Sequence, residues 1–245
     1  ALAWSIAADA GILAPMPTIP APPEYDAMHV IGEDAADVVV LDVPLSATSG
    51  WMAVGPPAHT MIYGVTHHKR MVGGFLARIP DDAHYYYHNS ALLGWLAGVR
   101  ALDAGPAMSE IGRLVQGDWR DGTVTAPLGY VIVHEDRLNP TQSGEIFALL
   151  NSHLNLCYWT SEGDAVFYQA RTHPALDGVC PHRLPDESAP GAFTINMGGA
   201  DAGFMGHGWY PRESIGGIAA RWSGKDGNEA LLYADLPTGS GYTLS

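Results

Sequence analysis

The residues best suited to chemistry stand together in the run Thr66-His67-His68-Lys69-Arg70. Two adjacent imidazoles beside two cations can hold an anionic group, or one ring can act as a general base near neutral pH. Neighbouring residues of an extended segment face opposite ways, so at most one of the two histidines can join a given site. No serine or cysteine nucleophile stands at a spacing that pairs it with either ring. The reading is therefore a ligand site without a catalytic set. His67, His68, Lys69 and Arg78 would meet a phosphate or a sugar, and Trp209 and Tyr210, beside Arg212 and Glu213, offer rings on which a sugar can stack. The commoner role of such a tryptophan is in a β core. Asp42 and Arg78 can also pair inside the fold, which would make both structural.

Cys157 and Cys180 permit one disulfide or none. A bond would close a loop of about 23 residues, worth roughly 3 kcal/mol in the chain-entropy picture. Cys180 and His182 in VCPHR are two metal-ligand types, but two ligands do not make a tetrahedral site, so no metal is expected. No cofactor is expected either: the sequence has no nucleotide-binding glycine fingerprint, Walker loop, zinc-protease helix or nucleophile elbow.

The elements that must position these residues are organised around Val38–Arg78. It opens on VVVLDV, a short β-branched run broken only by Asp42, which suits a strand buried on both faces. Pro44 ends it. Thr60–Val65 is a second apolar run, and Gly73-Gly74 allows a tight turn or close packing. Upstream, Pro22 and Pro23 can open a short helix through Tyr25 and Met28. Downstream, Asn89 or Ser90 caps a helix whose inner face is Leu92, Leu93, Leu96 and Val99. A second helix covers Met108–Val115. Tyr130–Val133 reads as another buried strand; two helices separate it from the first, so the two are expected to be parallel neighbours. Pro140 starts a helix with Ile146, Leu149, Leu150 and Leu154 as its stripe. Leu156–Thr160 and Ala165–Ala170 form a hairpin around Ser161-Glu162-Gly163-Asp164. After an irregular stretch, Phe193–Met197, Gly216–Trp222, Glu229–Asp235 and Tyr242–Leu244 have the spacing of β-sandwich strands. The expectation is an apolar, proline-rich arm at 1–23, an α/β domain at 24–171 with a small mixed or parallel sheet and flanking helices, a linker at 172–190, and a β-sandwich-like, truncated all-β part at 191–245.

The chain has 245 residues, 47% of them hydrophobic, enough to bury a sizeable core. With 12 Lys+Arg and a formal charge of -14, the composition argues against nucleic acid and against an anionic membrane surface as partners. Seven Trp, eleven Tyr, few lysines and long loops lean toward an extracytoplasmic protein, where a disulfide persists. ALAWSIAADAGIL is apolar but shorter than the roughly 20 residues a span needs. Lacking an initiating Met and a basic n-region, it reads as a beginning cut just downstream of a membrane segment or leader.

Taken in order, PTIPAPPEYDAMHV, VVVLDVP and MIYGVTHHKRMVGGFLARIP resemble the C-terminal extracytoplasmic soluble region of bacterial polytopic membrane proteins of the glycosyltransferase type, multi-span proteins that use lipid-linked sugar donors. GYVIVHEDRL followed by a helix and a hairpin ending VFYQAR is similar to the next portion of that region. GFMGHGWYPRESIGGIAARW with ALLYADLP is similar to the opening of its closing β-sandwich. The resemblance runs from about Pro15 to Ser245. Two departures stand out: the multi-span region with its acidic transfer residues is absent, and the sandwich stops at a strand that would leave an open edge. The resemblance implies a non-catalytic, membrane-associated domain on the extracytoplasmic side that binds a glycan or a membrane-embedded partner, or buttresses the enzyme. The alternatives are an accessory subunit docked on a larger bacterial membrane complex, for example respiratory or photosynthetic, and a hydrolase using His67 or His68.

Overall fold

The structure is a computed structural model that describes residues 23–49, 52–56, 62–75, 81–119, 126–183, 185–189, 192–199, 201–225 and 229–237. In chain order its elements are α1 (Asp26–Glu33), β1 (Val39–Val43), β2 (Ala47–Thr48), β3 (Ala53–Val54), α2 (Gly64–His67), β4 (Arg70–Val72), β5 (Gly74–Phe75), α3 (Asp81–Asn89), α4 (Ala91–Leu96) and α5 (Ala104–Val115). There follow β6 (Leu128–His134), α6 (Pro140–Ser143), α7 (Ile146–Ser152), β7 (Leu156–Glu162), β8 (Ala165–Ala170), β9 (Asp186–Ala189), β10 (Ala192–Thr194), β11 (Glu213–Ile215) and β12 (Ile218–Ala220).

A mixed five-stranded sheet in the order β4-β1-β6-β8-β7 forms the centre. β4, β1 and β6 run parallel, whereas β8 and β7 are antiparallel to their neighbours. The expected pairing of the two apolar strands is therefore seen, with Leu41 opposite Val131 and Val43 opposite Val133. Every residue of β1 and of β6 is buried, because helices cover both faces. Val39, Leu41 and Val43 pack with Val131 and Val133 against α4, α5 and α7. The alternate residues Val38, Val40, Tyr130 and Ile132 pack with Phe167 against Tyr25, Met28 and Ile31 of the α1 region. This is the layered α/β arrangement in which a continuous apolar run is the correct strand pattern.

Local signals account for the boundaries. Ser90 caps α4 by accepting from the Leu93 N–H at 2.8 Å. Gly98, at φ +72°, ends that helix, so Val99 points to solvent instead of joining the inner face. α5 starts earlier than its apolar stripe, at Ala104, since Pro106 sits in the first turn where no donor is required. Gly144 separates α6 from α7, and Leu154 lies beyond the helix end, 77% exposed. The hairpin is tighter than the sequence suggests: β7 continues to Glu162, which pairs with Ala165 across Gly163 and Asp164. Gly163 adopts φ +59° there.

Beyond residue 185 the described residues form two small antiparallel pairs, β9–β10 and β11–β12, with isolated bridges at Met205–Leu232 and Trp209–Ser223. These do not confirm a β-sandwich. The run expected as one strand at Gly216–Trp222 folds instead as part of a hairpin turning at Gly216-Gly217, both at positive φ. Glu229–Asp235 carries only the bridge at Leu232, and Tyr242–Leu244 lies outside the described residues. Among the described residues no helix is long and apolar enough to cross a membrane.

Candidate functional site

The C-terminal ends of parallel strands are where α/β folds keep ligands, and here that end carries a polar cluster. Asp42 on β1 accepts a hydrogen bond from Nε2 of His134 on β6 at 3.2 Å, with both side chains almost wholly buried. The Tyr63 ring stacks on His134 with centroids 4.9 Å apart and planes 8° from parallel. Tyr25 leans on both rings and donates to Asp164 at 2.5 Å. Burial, then that bond, push the Tyr25 phenol well above its usual range. Burial and a hydrogen bond to Asp164 also raise the Asp136 carboxyl. For Asp164 burial acts upward too, but the bonds from Asp136 and Tyr25 outweigh it and leave its carboxyl below the ordinary range. The two neighbouring carboxyls are thus pushed in opposite directions, Asp136 up and Asp164 down.

These contacts also serve the fold. The Glu162 carboxylate accepts from the Ala27 N–H at 3.1 and 3.3 Å, placing a negative charge at the start of α1. With Tyr25 tied to Asp164, the β7–β8 turn fastens α1 to the sheet.

The HHKR run does not converge on one site. His67 ends α2 with its ring fully buried, accepting the Lys69 N–H on Nδ1 at 3.0 Å. Burial lowers its pKa against the opposing attraction of Asp42. Nε2 of His67, Nδ1 of His134 and Oδ2 of Asp42 have no hydrogen-bond partner among the described residues. A ring sealed from solvent cannot exchange a proton with a substrate, so geometry assigns His67 to the interior. His68 is the left-handed cap of α2, at φ +55°, and is exposed. The two histidines do part, but at a helix end and not along a strand. Lys69 spends its ammonium on the Asp34 and Ala36 carbonyls at the end of α1, and Arg70 pairs with Asp37. Arg78 lies outside the described residues; the partner that Asp42 does have is His134. Trp209 is half-buried against the core with its N–H on the Leu231 carbonyl at 2.7 Å, whereas Tyr210 is exposed. Neither adjoins the histidines in any described contact.

A second concentration of polar side chains is open to solvent. A cleft of about 680 Å³ lies between the last turn of α3, the start of α4 and the first half of α5. Its base is Glu110, which is buried and accepts from the Ser90 hydroxyl at 2.7 Å and from the Leu92 N–H at 3.0 Å. Tyr86 donates to the same carboxylate at 3.4 Å, and Arg113 lies 3.9 Å from it. Around this base stand Tyr85, 69% exposed, with Asn89, Arg100, Asp103 and Ser109.

No known family, curated protein or solved structure matches the chain.

The disulfide left open by the sequence is formed between Cys157 on β7 and Cys180, with Cα atoms 5.2 Å apart. Among the described residues no group of three or more His, Cys, Asp or Glu is arranged to hold a metal. The sequence reading missed Tyr85 and Glu110. The signal available was Tyr85-Tyr86-Tyr87 next to the capping serine, since an exposed aromatic at a helix junction is a common wall of a binding site.

Proposed function

We propose that this chain is a non-catalytic extracytoplasmic domain of a membrane glycosyltransferase-like protein, and that it binds glycan in the cleft between α3, α4 and α5. The observation that carries this reading is the solvent-exposed Tyr85 ring set among Asn89, Arg100, Asp103 and Ser109 over the Glu110 base. The C–H face of a pyranose packs on an aromatic ring, and its hydroxyls need donors and acceptors side by side, which amide, carboxylate and guanidinium groups supply. The cleft holds carboxylates and guanidiniums in equal number, so it suits a neutral sugar better than a polyanion. The volume falls within the usual range for small-molecule sites. The Cys157–Cys180 bond supports an oxidising compartment.

Burial of His67 weighs against the hydrolase alternative. So does His68, whose ring makes no hydrogen bond to a nucleophile or carboxylate among the described residues. The test is saturation-transfer NMR and calorimetry against a panel of neutral mono- and oligosaccharides. Tyr85→Ala, at an exposed position, should weaken binding about tenfold without altering the fold, in line with about 1–1.5 kcal/mol for an aromatic contact. Absence of any sugar binding by the wild type would refute the proposal. Glycoside or ester hydrolysis abolished by His67→Ala or His68→Ala would bring the hydrolase forward.

A further inference from the structure

A second, chemically different cleft carries two arginines against one carboxylate in a chain of net charge -14. It encloses about 790 Å³ between the end of α7, the end of β8, the Cys180–Arg183 segment and residues 232–235. Two guanidiniums line it. Arg171 directs Nη2 at the Cys180 sulfur, a weak acceptor 3.4 Å away, and its buried Nε has no partner among the described residues. Arg183 places Nη2 on the Asn151 carbonyl at 3.0 Å and stands 5.8 Å from the Tyr233 ring centroid. Arg70, Arg113, Arg137 and Arg221 each have a carboxylate within 4 Å. Among the described residues Arg171 and Arg183 have none, as is also true of Arg100 and Arg212, but only these two share a cleft. The carboxylate of Asp235, which lines the same cleft, accepts instead from the Arg183 backbone N–H at 2.9 Å. His153 brings no charge, for it accepts from the Asn155 N–H and its other nitrogen bonds the Met108 carbonyl.

Two arginines with no carboxylate paired to either guanidinium are a receptor for an oxyanion, since the guanidinium fork matches phosphate geometry. We propose that this cleft binds a phosphomonoester of a small organic molecule, of the sugar-phosphate class, through Arg171 and Arg183. The volume exceeds that of inorganic phosphate, and Tyr233 gives the organic part a ring to rest on. The site is also tied to the disulfide. Cys180 is held to Cys157 at the start of β7, so the bond fixes the wall that carries Arg183 and presents Cys180 to Arg171. The receptor is assembled in the oxidised protein.

The experiment is a titration of the whole chain with inorganic phosphate and glucose 1-phosphate, against acetate, chloride and glucose as controls, read by calorimetry and by amide shifts of residues 178–183 and 232–235. Glucose 1-phosphate should bind more tightly than phosphate, and both more tightly than the controls. Arg171→Gln and Arg183→Gln should each weaken phosphate binding by about tenfold or more, the effect of losing one charge-assisted contact. Arg70→Gln, remote from the cleft, should not. Should either cleft variant fail to fold, the wild-type shifts decide: changes confined to the cleft residues support the site, and changes scattered over the surface overturn it. Equal affinity for chloride and phosphate, or unchanged affinity in both arginine variants, overturns it as well. Cys157→Ser/Cys180→Ser should bind phosphate several-fold more weakly, and unaltered affinity there would refute the dependence on the disulfide. Sugar binding at Tyr85 is measured separately, so either proposal can fail alone.

Discussion

Arg221 offers the most direct test of how the C-terminal segment is joined to the sheet. Its side chain is fully buried; Nε donates to Asp201 at 2.8 Å, Nη2 donates to Glu135, and the guanidinium lies 5.6 Å from the Phe147 ring centroid. Asp201 is itself wholly buried and accepts the Gly198 N–H at 2.7 Å. Replacing Arg221 with methionine keeps much of the volume but removes two charge-assisted hydrogen bonds and leaves Asp201 charged in the interior. Each such bond is worth about 1.5–3 kcal/mol, and breaking one partner out of a buried pair costs about 3–5 kcal/mol. With a total stability of about 5–15 kcal/mol, that is a large fraction. Urea unfolding followed by tryptophan fluorescence should show the midpoint falling by about 1–2 M for a slope of about 2–3 kcal/mol/M. The double variant Arg221→Met/Asp201→Asn should recover about 1–2 kcal/mol of the loss, because the amide still accepts from Gly198 and only Glu135, not Asp201, keeps an unpaired charge. A cost below about 1 kcal/mol for the single variant, or a double variant no better than the single, would refute the reasoning.

Three further outcomes are expected. Reducing the Cys157–Cys180 bond, which spans a sequence separation of 23, should lower stability by roughly 3 kcal/mol in the same denaturation assay; no change in midpoint would mean the bond constrains nothing in the unfolded chain. Because burial holds His67 below its ordinary pKa, the unfolded chain takes up its proton first. The contribution is complete above about pH 6.5 and is lost as pH falls through that value toward the folded pKa, at a slope of at most about 1.4 kcal/mol per pH unit. His67→Gln should flatten this fall between pH 8 and pH 5, and an identical pH profile would count against the assignment. Gly129→Ala should destabilise by about 1–3 kcal/mol, since the new methyl would lie 2.5 Å from Cβ of Val38 at the point where β6 shifts register against β1; a neutral effect on thermal unfolding would contradict the packing described.

The central strands could be read from the sequence because their pattern has a single physical solution. VVVLDV and YVIV are too short for helices and too apolar for one exposed face, and the helices between them require a crossover. Ser90 could be read because a cap is a local bond between neighbours. The C-terminal part could not: strand formation depends on a partner edge, and Glu229–Asp235 finds only a short one at residues 204–207, bridged at Met205–Leu232. The histidine run showed the right residue types but not their destinations. Whether His67 enters the interior depends on how its helix packs against α1 at Gly32, and no spacing rule conveys that. The open clefts were hidden for a related reason, because Tyr85 and Glu110 come to line one cleft, and Arg171 and Arg183 another, only after helices and loops have packed.

The pairing of β1 with β6 also bears on how the chain is made. Leu41 meets Val131, about ninety residues later, and at roughly 5–20 residues per second on the ribosome β1 waits about 5–20 s for its partner. During that interval VVVLDV is the kind of short, apolar, β-branched segment that pairs with copies of itself. Asp42 is the charge inside it. Before His134 arrives, that carboxylate is a gatekeeper against self-association on nascent chains; afterwards it becomes a buried bond holding the two strands in register.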